Sequence, residues 1–516
     1  MIFLLLLSCS AVYSVSFIST VAASKTWTVD DDGPADYHSI QQAIDNANSG
    51  DTISVRSGTY YEHLIVDESL SIIGEEESST KIDGDGYGGV VTIVAGNVTM
   101  KGFTIQDGEE GVALVSNNNN LTDNVLTSNS VGVLLDTHSE GNTLFGNRIL
   151  FSSTSGIYGD RCGQNAIVNN NISFSSWHGI FLYGSEPCVL NGNSIFSSRE
   201  GMFIRYSSNN TVTGNFVSDN DIGIYIYSDE DPIRPSGLSK HNLVRNNTVQ
   251  NNSLGMTVKH LGTTAEFARN EICENLIDCN NFGLNISGSD GNLIYNNNFI
   301  NNSKQASVYE SLDNTWDGGY HVGGNYWSDH NSTDMYWGFY QNETGSDGII
   351  DFPYHLSANP AEEDKYPFLY ANEWLMVPEM SVISPSNGTY RLNTLPLVLT
   401  TNKPAWLSYG LDNQPNITIV KNSALINLSI GVHNITVYAI DALGNEVSSK
   451  VTFTVTFLGD LSLDGIVNII DVSIVAYSFG HSIGSERWNP EADLNNDYTI
   501  NIVDIAMVAL DFGNTI

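Results

Sequence analysis

Two segments near the end of the sequence carry oxygen-bearing side chains at the same spacing. Asp460–Asp471 reads D-L-S-L-D-G-I-V-N-I-I-D, and Asp493–Asp504 reads D-L-N-N-D-Y-T-I-N-I-V-D. Ca²⁺ prefers about six to eight oxygen ligands, which a 12-residue loop supplies from side chains at positions 1, 3, 5, 9 and 12 and from the carbonyl of position 7. The repeat therefore predicts two Ca²⁺ sites with these ligands: Asp460, Ser462, Asp464, Ile466, Asn468 and Asp471, then Asp493, Asn495, Asp497, Thr499, Asn501 and Asp504.

Each loop leads into an apolar stretch, and we expect helices over Val472–Phe479 and Ile505–Phe512. The pair resembles a type I dockerin, the calcium-dependent module that docks to cohesin domains in assemblies such as cellulosomes. The resemblance implies a cohesin-domain protein as partner of residues 458–516. Tyr498 departs from the family, because loop position 6 normally holds the Gly that makes the sharp turn. We therefore expect a weaker second site.

A further departure concerns loop positions 10 and 11, which help dockerins to choose their partner. These positions hold Ile469-Ile470 in the first loop and Ile502-Val503 in the second, and they are more apolar than the usual hydroxyl pair. Two hypotheses stay open for this module: docking to a cohesin, or packing on the neighbouring domain of the same chain.

Upstream, a short phrase with two Asn residues recurs between Asn97 and Asn302, for example N-T-L-F-G-N-R-I at Asn142–Ile149 and N-L-I-Y-N-N-N-F at Asn292–Phe299. A period mostly in the low twenties, with short strands and no helical pattern, is typical of a solenoid of β coils. We interpret the repeated Asn as structural, because an amide can bond its equivalent one coil away. The second Asn of the phrase falls at Asn124, Asn147, Asn170, Asn193, Asn215, Asn247, Asn270 and Asn297.

A Gly closes each repeat and opens an alternating strand, so the alternation assigns the two faces. The first and third residues after the Gly are apolar and predict the core, as in Ile180 and Leu182. The second and fourth residues then point outward. They give an aromatic column beside a mixed polar column, and the ligand-binding candidates on this face are Tyr158, His178, Phe181, Tyr183, Phe203, Tyr225 and Tyr227.

Two interpretations of this outward face stay open. Aromatic and polar side chains side by side suit a saccharide groove, but exposed aromatics also simply favour β structure when a loop covers them. The insertion Asp229–Gly237 starts where the column ends and is expected to form a loop beside it. Enzymatic cleavage is an alternative to binding, and its candidate catalytic residues are Asp160, Glu186, Glu200 and Arg205.

The beginning of the repeat region reads S-I-Q-Q-A-I…G-D-T-I-S-V…G-T-Y-Y-E, with Ser39 as helix N-cap. This opening resembles right-handed parallel β-helix proteins of the pectin-lyase-like group. The end reads N-T-W-D-G-G-Y-H-V-G-G-N-Y-W-S-D at Asn314–Asp329 and resembles surface β-helix proteins related to the maturation factor NosD. These resemblances imply a mainly β fold with a right-handed parallel β-helix over residues 25–372. Copper chemistry does not carry over, since no Met, His and Cys cluster suits it.

Residues 378–457 change character and hold about seven short strands separated by turn residues, which suggests a β-sandwich. The phrase G-V-H-N-I-T-V-Y-A-I-D-A-L-G-N resembles the late strands of immunoglobulin-like modules in secreted prokaryotic proteins. The predicted order is therefore a β-helix, an Ig-like β-sandwich and a small helical, EF-hand-like calcium module.

Composition limits the location and the partners. The formal net charge of −38 argues against nucleic acid or an anionic membrane as partner. Residues 1–23 are apolar, end in Val21-Ala22-Ala23 and predict a signal peptide, and no later stretch is long enough to span a membrane. Abundant Asn-x-Ser/Thr sequons suit a glycoprotein, and two disulfides are possible in an oxidising location, Cys162 with Cys188 and Cys273 with Cys279.

The sequence thus predicts a secreted or cell-surface, carbohydrate-binding β-helix protein that is tethered or assembled through a calcium-dependent module. Its expected partners are a polysaccharide or glycan and a cohesin-domain protein. A polysaccharide lyase or glycoside hydrolase of a cohesin–dockerin assembly is one alternative, and a non-catalytic structural envelope protein is the other.

Overall fold

The computed structural model describes residues 24–229, 237–261, 267–358, 361–419 and 423–516. Its largest part is a right-handed parallel β-helix of three sheets with 12, 12 and 11 strands, in which each strand pairs in parallel with the equivalent strand of the next coil. The first sheet contains Thr26–Val29, Thr52–Val55, Ser71–Gly74, Thr99–Lys101, Asn120–Thr122, Thr143–Phe145, Ala166–Val168, Val189–Asn191, Thr211–Thr213, Leu243–Arg245, Glu271–Cys273 and Leu293–Tyr295.

The other two sheets complete each coil. The second contains Gly58–Tyr61, Thr80–Asp83, Thr104–Gln106, Val125–Thr127, Arg148–Leu150, Asn171–Ser173, Ser194–Phe196, Phe216–Ser218, Thr248–Gln250, Leu276–Asp278, Asn298–Ile300 and Tyr326–Trp327. The third contains Leu64–Val66, Val91–Ile93, Glu110–Leu114, Val131–Leu135, Ser155–Asp160, His178–Tyr183, Glu200–Arg205, Ile222–Asp229, Leu254–Leu261, Phe282–Ser287 and Lys304–Tyr309. The third sheet has the longest strands and carries the outward aromatic column.

The predicted core is confirmed. Ile180, Leu182 and Met202 are fully buried, and the equivalent residues of the neighbouring coils line the same interior. The Gly that opens each of these strands is needed for close packing between coils. A Cβ on Gly179 would lie 2.4 Å from the Ile195 side chain and 2.6 Å from the Gly201 carbonyl oxygen. A larger residue would therefore force adjacent coils apart.

The predicted amide ladder is present, and the described coils form three such ladders side by side. In the longest, each Asn side-chain oxygen accepts the backbone N–H of the preceding coil's Asn, as Asn170 does from Asn147 at 3.0 Å. One predicted member is wrong: Asn247 bonds Asn275, while Asn270 belongs to the neighbouring ladder and bonds Asn292. Each repeat has two Asn residues five positions apart, and they belong to different ladders. Insertions change the number of residues per coil, so counting along the sequence mistook the first Asn of one pair for the second.

Both ends of the β-helix are closed. The helix Ile40–Asn46 covers the first coil and buries Ile40, Ala43 and Ile44, and the Ser39 hydroxyl accepts the Gln42 N–H as predicted. At the other end two buried carboxylates terminate the ladders. Asn325, the last amide of the longest ladder, donates its backbone N–H to Asp364, which also accepts the Trp327 indole N–H. In the neighbouring ladder Glu362 accepts the side-chain amide N–H of Asn314 and the indole N–H of Trp316.

Small elements follow the last coil and lead into two more sheets. The hairpins are Tyr336–Trp337 with Glu343–Thr344 and Tyr354–Ala358 with Ala361–Asp364, and a 3₁₀ turn spans Glu373–Leu375. A three-stranded sheet contains Met380–Ser384, Leu395–Thr401 and Ser423–Leu425. A five-stranded sheet contains Thr389–Tyr390, Glu446–Val455, Gly431–Ile440, Trp406–Leu411 and Ile417–Ile419. These sheets share one apolar core, which includes Leu397, Val437 and Phe453.

The C-terminal segment holds two α-helices, Ile469–Tyr477 and Ile502–Asp511, and a 3₁₀ turn at Pro490–Ala492. Both helices start three residues before the predicted positions. The reason is a capping box in each, in which Asn468 or Asn501 caps the first turn and the Asp three residues later accepts the cap's backbone N–H. The helices share a small core around Val475, Ile500 and Val508.

The remaining predictions concern the cysteines, the signal peptide, the loop and membrane spans. The possible disulfides are not formed, because all four described cysteines are free thiols. Cys273 ends a first-sheet strand, and Cys279 follows the next strand, which belongs to the second sheet. A corner of the coil and the strand Leu276–Asp278 therefore lie between them. The predicted signal peptide and residues 230–236 of the predicted loop lie outside the described residues. Among the helices of the described part, none is long and apolar enough to cross a membrane.

Candidate functional site

Four aromatic rings stack on the outer face of the third sheet, and we call them the aromatic ladder: Tyr158, Phe181, Phe203 and Tyr225. They are exact register partners on successive coils, with ring centroids 5.0 to 5.1 Å apart and interplanar angles of 11° to 18°. Each ring is half-buried because its neighbours cover its faces. The ladder therefore presents a continuous row of ring edges to solvent, and stacking stabilises each pair by about 0.5–1.5 kcal/mol.

The fourth-position column lies beside the ladder at the carboxyl ends of the strands. Asp160, Tyr183, Arg205 and Tyr227 are register partners there. The Arg205 guanidinium bonds Asp229 at 3.2 Å and lies over the Tyr206 ring at 4.9 Å, while the Tyr227 hydroxyl donates to the same Asp229 at 2.9 Å. The polar groups at this end of the site therefore form one cluster around the Arg205 guanidinium, whose charge is paired with that of Asp229.

A second cluster lies at the opposite end of the same strands. Glu200 is buried, its Oε1 lies 3.5 Å from Arg199 Nε, and its Oε2 lies 3.7 Å from His178 Nε2. Oε2 is buried and has no hydrogen-bond partner. The His178 ring stacks on Phe181 at 4.6 Å and on Phe203 at 5.4 Å, so this cluster is continuous with the aromatic ladder.

Burial sets the protonation of these groups. It raises the pKa of Glu200, against the attraction of Arg199, and the nearby Asp221 raises it further. Burial together with the Arg199 charge lowers the pKa of His178 to about 4, so the imidazole is neutral at physiological pH. Burial also raises the pKa of Tyr225 to about 12, which keeps its hydroxyl protonated. The cluster thus combines a buried carboxyl group with a neutral imidazole and a phenol donor.

The candidate catalytic residues are not brought together. Asp160 and Glu200 lie two coils and five residues apart, about 19 Å between Cα positions at ~4.8 Å per coil and ~3.3 Å per residue, whereas glycoside hydrolysis needs carboxylates about 5–10 Å apart. Asp160 pairs with Arg161 at 2.8 Å. Glu186 is exposed in the following turn, where its N–H bonds the Cys162 carbonyl at 3.0 Å. Asp160 and Arg205 therefore belong to the cluster at the carboxyl ends of the strands, whereas Glu200 belongs to the cluster at the opposite ends.

Both predicted calcium loops bury the carboxylates at their first and last positions. Asp460 and Asp471 are fully buried in the first loop, and Asp493 and Asp504 are buried in the second. Asp471 accepts the backbone N–H groups of Ser462 and Asn468, and Asp504 accepts those of Leu494 and Asn501, all at 2.8 Å. Burial works to raise the pKa of Asp471, but these donors outweigh it and hold the pKa below its usual range.

The remaining loop positions are more open. Asp464 accepts the Ile466 N–H and Asp497 the Thr499 N–H, each within its own loop. Tyr498 takes the left-handed backbone expected of loop position 6, with φ +65°, as Gly465 does with φ +85°. Among the described residues, the acidic trio with oxygens within 4.8 Å of one another is Asp30, Asp31 and Asp32, at the start of the β-helix. The acidic groups of the two loops are spread more widely.

The apolar pairs at loop positions 10 and 11 face solvent. Ile469 and Ile470 are 68% and 51% exposed, and Ile502 and Val503 are 66% and 46% exposed. The module contacts the preceding sandwich elsewhere, where Arg391 bonds Glu491. The module therefore packs on the preceding part of the chain, as one of the two hypotheses expects, and the four exposed apolar residues lie outside this contact.

The sequence analysis named Glu200 as a candidate catalytic residue but did not predict that it is buried. Its partner in the register, Ile222 on the next coil, is apolar and gave no signal of a polar pocket. The Arg205–Asp229 pair was also missed, although alternation beyond the strand end would have placed Asp229 near Arg205 on the next coil.

A family model described as "Periplasmic copper-binding protein (NosD)" matches residues 44–231 and 178–332, which together span more than half of the chain. No curated protein matches the sequence significantly. Similar solved structures include the AlgE4 A-module of the Azotobacter vinelandii mannuronan C-5 epimerase, at 16% identity over 54% of this chain and 90% of that chain, with a TM-score of 0.41.

Two further solved structures are similar to this chain to about the same degree. The GH136 lacto-N-biosidase from Eubacterium ramulus has 13% identity over 56% of this chain and 68% of that chain, with a TM-score of 0.43. The catalytic unit of the GH87 alpha-1,3-glucanase from Streptomyces thermodiastaticus has 14% identity over 61% of this chain and 70% of that chain, with a TM-score of 0.41.

Proposed function

This chain belongs to the NosD family of right-handed parallel β-helix proteins, and we propose that it is a secreted or cell-surface protein that binds a glycan along the aromatic ladder. The observation that carries the proposal is the aromatic ladder, four stacked rings in register that present their edges to solvent, with the buried carboxyl group of Glu200 at one end. Glu200 Oε2 has no donor in the structure, which is costly for a carboxylate oxygen, and we propose that the side chain turns toward a ligand hydroxyl and gains one.

The rest of the surface suits the same ligand. The edges of the ladder form an apolar track whose ring spacing is close to the length of one sugar ring, and polar clusters flank both ends. Arg205 is paired with Asp229, and Arg199 lies beside Glu200, so the arginines of both clusters already have a carboxylate neighbour. The net charge of −38 also disfavours an acidic polysaccharide. We therefore favour a neutral glycan.

Removing the central rings tests the proposal. The double substitution Phe181→Ala/Phe203→Ala deletes two adjacent rings of the ladder, and we expect glycan affinity to fall at least ~10-fold. Binding of the full chain to a polysaccharide array, followed by isothermal titration with the best ligand, measures the effect. Melting temperature shows separately how far the fold is weakened.

A matched control is available on another face. Phe151 and Phe174 form an exposed stacked pair at 5.1 Å outside the ladder. The substitution Phe151→Ala/Phe174→Ala should leave binding unchanged, and equal losses in both variants would contradict a ladder site. Released reducing sugars or unsaturated products on the same array would show that the protein is an enzyme instead.

Glu200 gives a second prediction, in which stability and binding move in opposite directions. Since burial raises its folded-state pKa, Glu200 supports the fold fully only below its ordinary pKa, and this support is lost as pH rises through the folded pKa. Glu200→Gln removes the charge, so its melting temperature should exceed that of the wild type at pH 7, with the difference vanishing near pH 4.

The same variant should bind glycan more weakly at pH 7, because the amide presents a weaker acceptor than a carboxylate. Thermal melts across pH and titrations at pH 7 give the two readouts. A carboxylate with a purely structural role would change the melting curve and leave binding at the wild-type level, which would remove Glu200 from the proposed site.

We further propose that the C-terminal module binds two Ca²⁺ ions and attaches the protein to a cohesin-type partner. The buried carboxylates Asp460, Asp471, Asp493 and Asp504 support the ion sites, since burying several anions is costly without a cation. The duplicated exposed pairs Ile469-Ile470 and Ile502-Val503 support the docking surface.

The description of the family model names copper, but the Met, His and Cys residues in the described part of the chain do not gather into a copper site. Copper(I) prefers Cys and Met ligands, and Met202, Met256 and Cys188 are buried among apolar core residues. His178 contacts Ser155, Glu200 and the rings of the ladder instead. We therefore assign no copper to this chain.

A further inference from the structure

The last strand of the sandwich leads into the first proposed calcium loop without a free linker. The strand Glu446–Val455 ends directly before Thr456, whose backbone N–H still donates to the Tyr390 carbonyl of the sandwich at 2.8 Å. The next residue, Phe457, already packs against the small core of the C-terminal module. Asp460, the first residue of the loop, follows three positions later. A residue of the sandwich is therefore close enough to contact the loop.

Thr456 makes such a contact with its side chain. The Thr456 hydroxyl donates to Oδ2 of Asp460 at 2.6 Å, and both residues are buried. The same oxygen accepts the Gly465 backbone N–H at 3.0 Å, whereas Oδ1 of Asp460 lies 3.3 Å from the hydroxyl oxygen of Ser462, the next proposed ligand of the loop. Two donors thus hold one carboxylate oxygen, and the other oxygen faces a proposed ligand of the same ion.

The second loop allows a direct comparison. There the backbone N–H of Tyr498, at loop position 6, donates to Oδ2 of Asp493 at 2.8 Å in the same way. The residue that corresponds to Thr456 is Asn489, four positions before the loop. Its side chain accepts the Glu491 N–H at 3.1 Å and so caps the 3₁₀ turn that leads to the loop. The hydroxyl donor from the sandwich therefore belongs to the first loop and not to the second.

Arg391 of the sandwich holds the same junction together. Its guanidinium donates to the Glu491 carbonyl at 3.1 Å and bonds the Glu491 carboxylate, and it lies 3.5 Å from the Leu458 carbonyl oxygen. Leu458 lies between Thr456 and Asp460 along the chain. The placement of the Thr456 hydroxyl against the loop is therefore supported by a second contact between the sandwich and the module.

We propose that Thr456 is a positioning residue of the first calcium loop, through which the sandwich sets the calcium affinity of that loop. This inference rests on the calcium binding proposed above. The Thr456 hydroxyl donates to one oxygen of Asp460 and thereby keeps the other turned toward the loop before the ion binds. Loss of such an outer partner typically weakens metal binding by about 10- to 100-fold. The affinity of the second loop does not depend on Thr456.

Isothermal titration of the full chain with Ca²⁺ tests the proposal one loop at a time. Asp497→Ala removes an exposed proposed ligand of the second loop and leaves the first loop to be measured, and Asp464→Ala does the reverse. We expect Thr456→Val to weaken binding at least ~10-fold in the Asp497→Ala background and to leave it unchanged in the Asp464→Ala background. Thr456→Ser retains the hydroxyl and should bind as its parent does.

Thr452→Val is the matched control, because Thr452 is an exposed threonine of the same strand whose hydroxyl bonds Asn434 within the sandwich. It should leave the affinity of both loops unchanged. Equal weakening of both loops by Thr456→Val would overturn the proposal, since it would show general damage to the module. Unchanged affinity of the first loop would overturn it as well. If the wild type binds no Ca²⁺, the calcium proposal on which this one rests is itself overturned.

Discussion

The substitution Asn170→Ala is expected to destabilise the β-helix by about 4 kcal/mol or more. The Asn170 side chain makes four hydrogen bonds: its oxygen accepts the backbone and side-chain N–H groups of Asn147, and its amide donates to the Leu144 carbonyl and the Asn193 oxygen. All of these groups are buried. Alanine leaves a buried backbone N–H and a buried carbonyl unpaired, at about 1–3 kcal/mol each, besides the two partner amides.

Urea denaturation of the full chain, followed by circular dichroism, measures the loss. The adjacent Asn171 is the matched control, because it has the same side chain but an exposed one, and Asn171→Ala should change the free energy of unfolding by less than about 0.5 kcal/mol. If both variants unfold at the same urea concentration, the amide ladder contributes no more than surface asparagines do. The unfolding of neighbouring coils is coupled through their interfaces, so the transition of the variant should also broaden.

Removal of Ca²⁺ is expected to unfold the C-terminal module while the β-helix stays folded. Each ion stabilises the bound form by about 2.7 kcal/mol at a concentration 100-fold above its Kd. The four carboxylates at the first and last loop positions are buried, and Asp471 is held ionised by its backbone donors. Without the cation, these charges must be exposed or remain uncompensated.

Differential scanning calorimetry of the full chain with Ca²⁺ and with EDTA checks this expectation. A separate transition should move to lower temperature in EDTA, and Asp471→Asn with Asp504→Asn should produce the same shift in the presence of Ca²⁺. Glu486→Gln, an exposed acidic position of the module outside both loops, is the control and should behave as the wild type. A calorimetric trace that EDTA does not alter would contradict the calcium proposal.

The sequence predicted best those residues whose role depends only on neighbours close to them along the chain. Alternation after Gly179 assigned Ile180 and Leu182 to the core, because side chains of a strand point to opposite faces in turn. Ser39 was recognisable as a helix cap for a similar reason, since the capping bond reaches only to Gln42. The capping of the two C-terminal helices is equally local, since Asn468 and Asn501 each cap the helix that follows them.

The tertiary structure decided what depends on neighbouring coils and distant segments. Asn270 and Asn275 look equivalent in the sequence, and only the stacking of coils shows that Asn275 continues the ladder from Asn247. The burial of Glu200 depends on what adjacent coils place over it, which no period reveals. Trp374 comes to lie near Asn296 and His321 only because the segment after the last coil folds back on the end of the β-helix. A sequence period reports how residues close together along the chain are oriented, whereas the burial of a residue depends on every segment that packs around it.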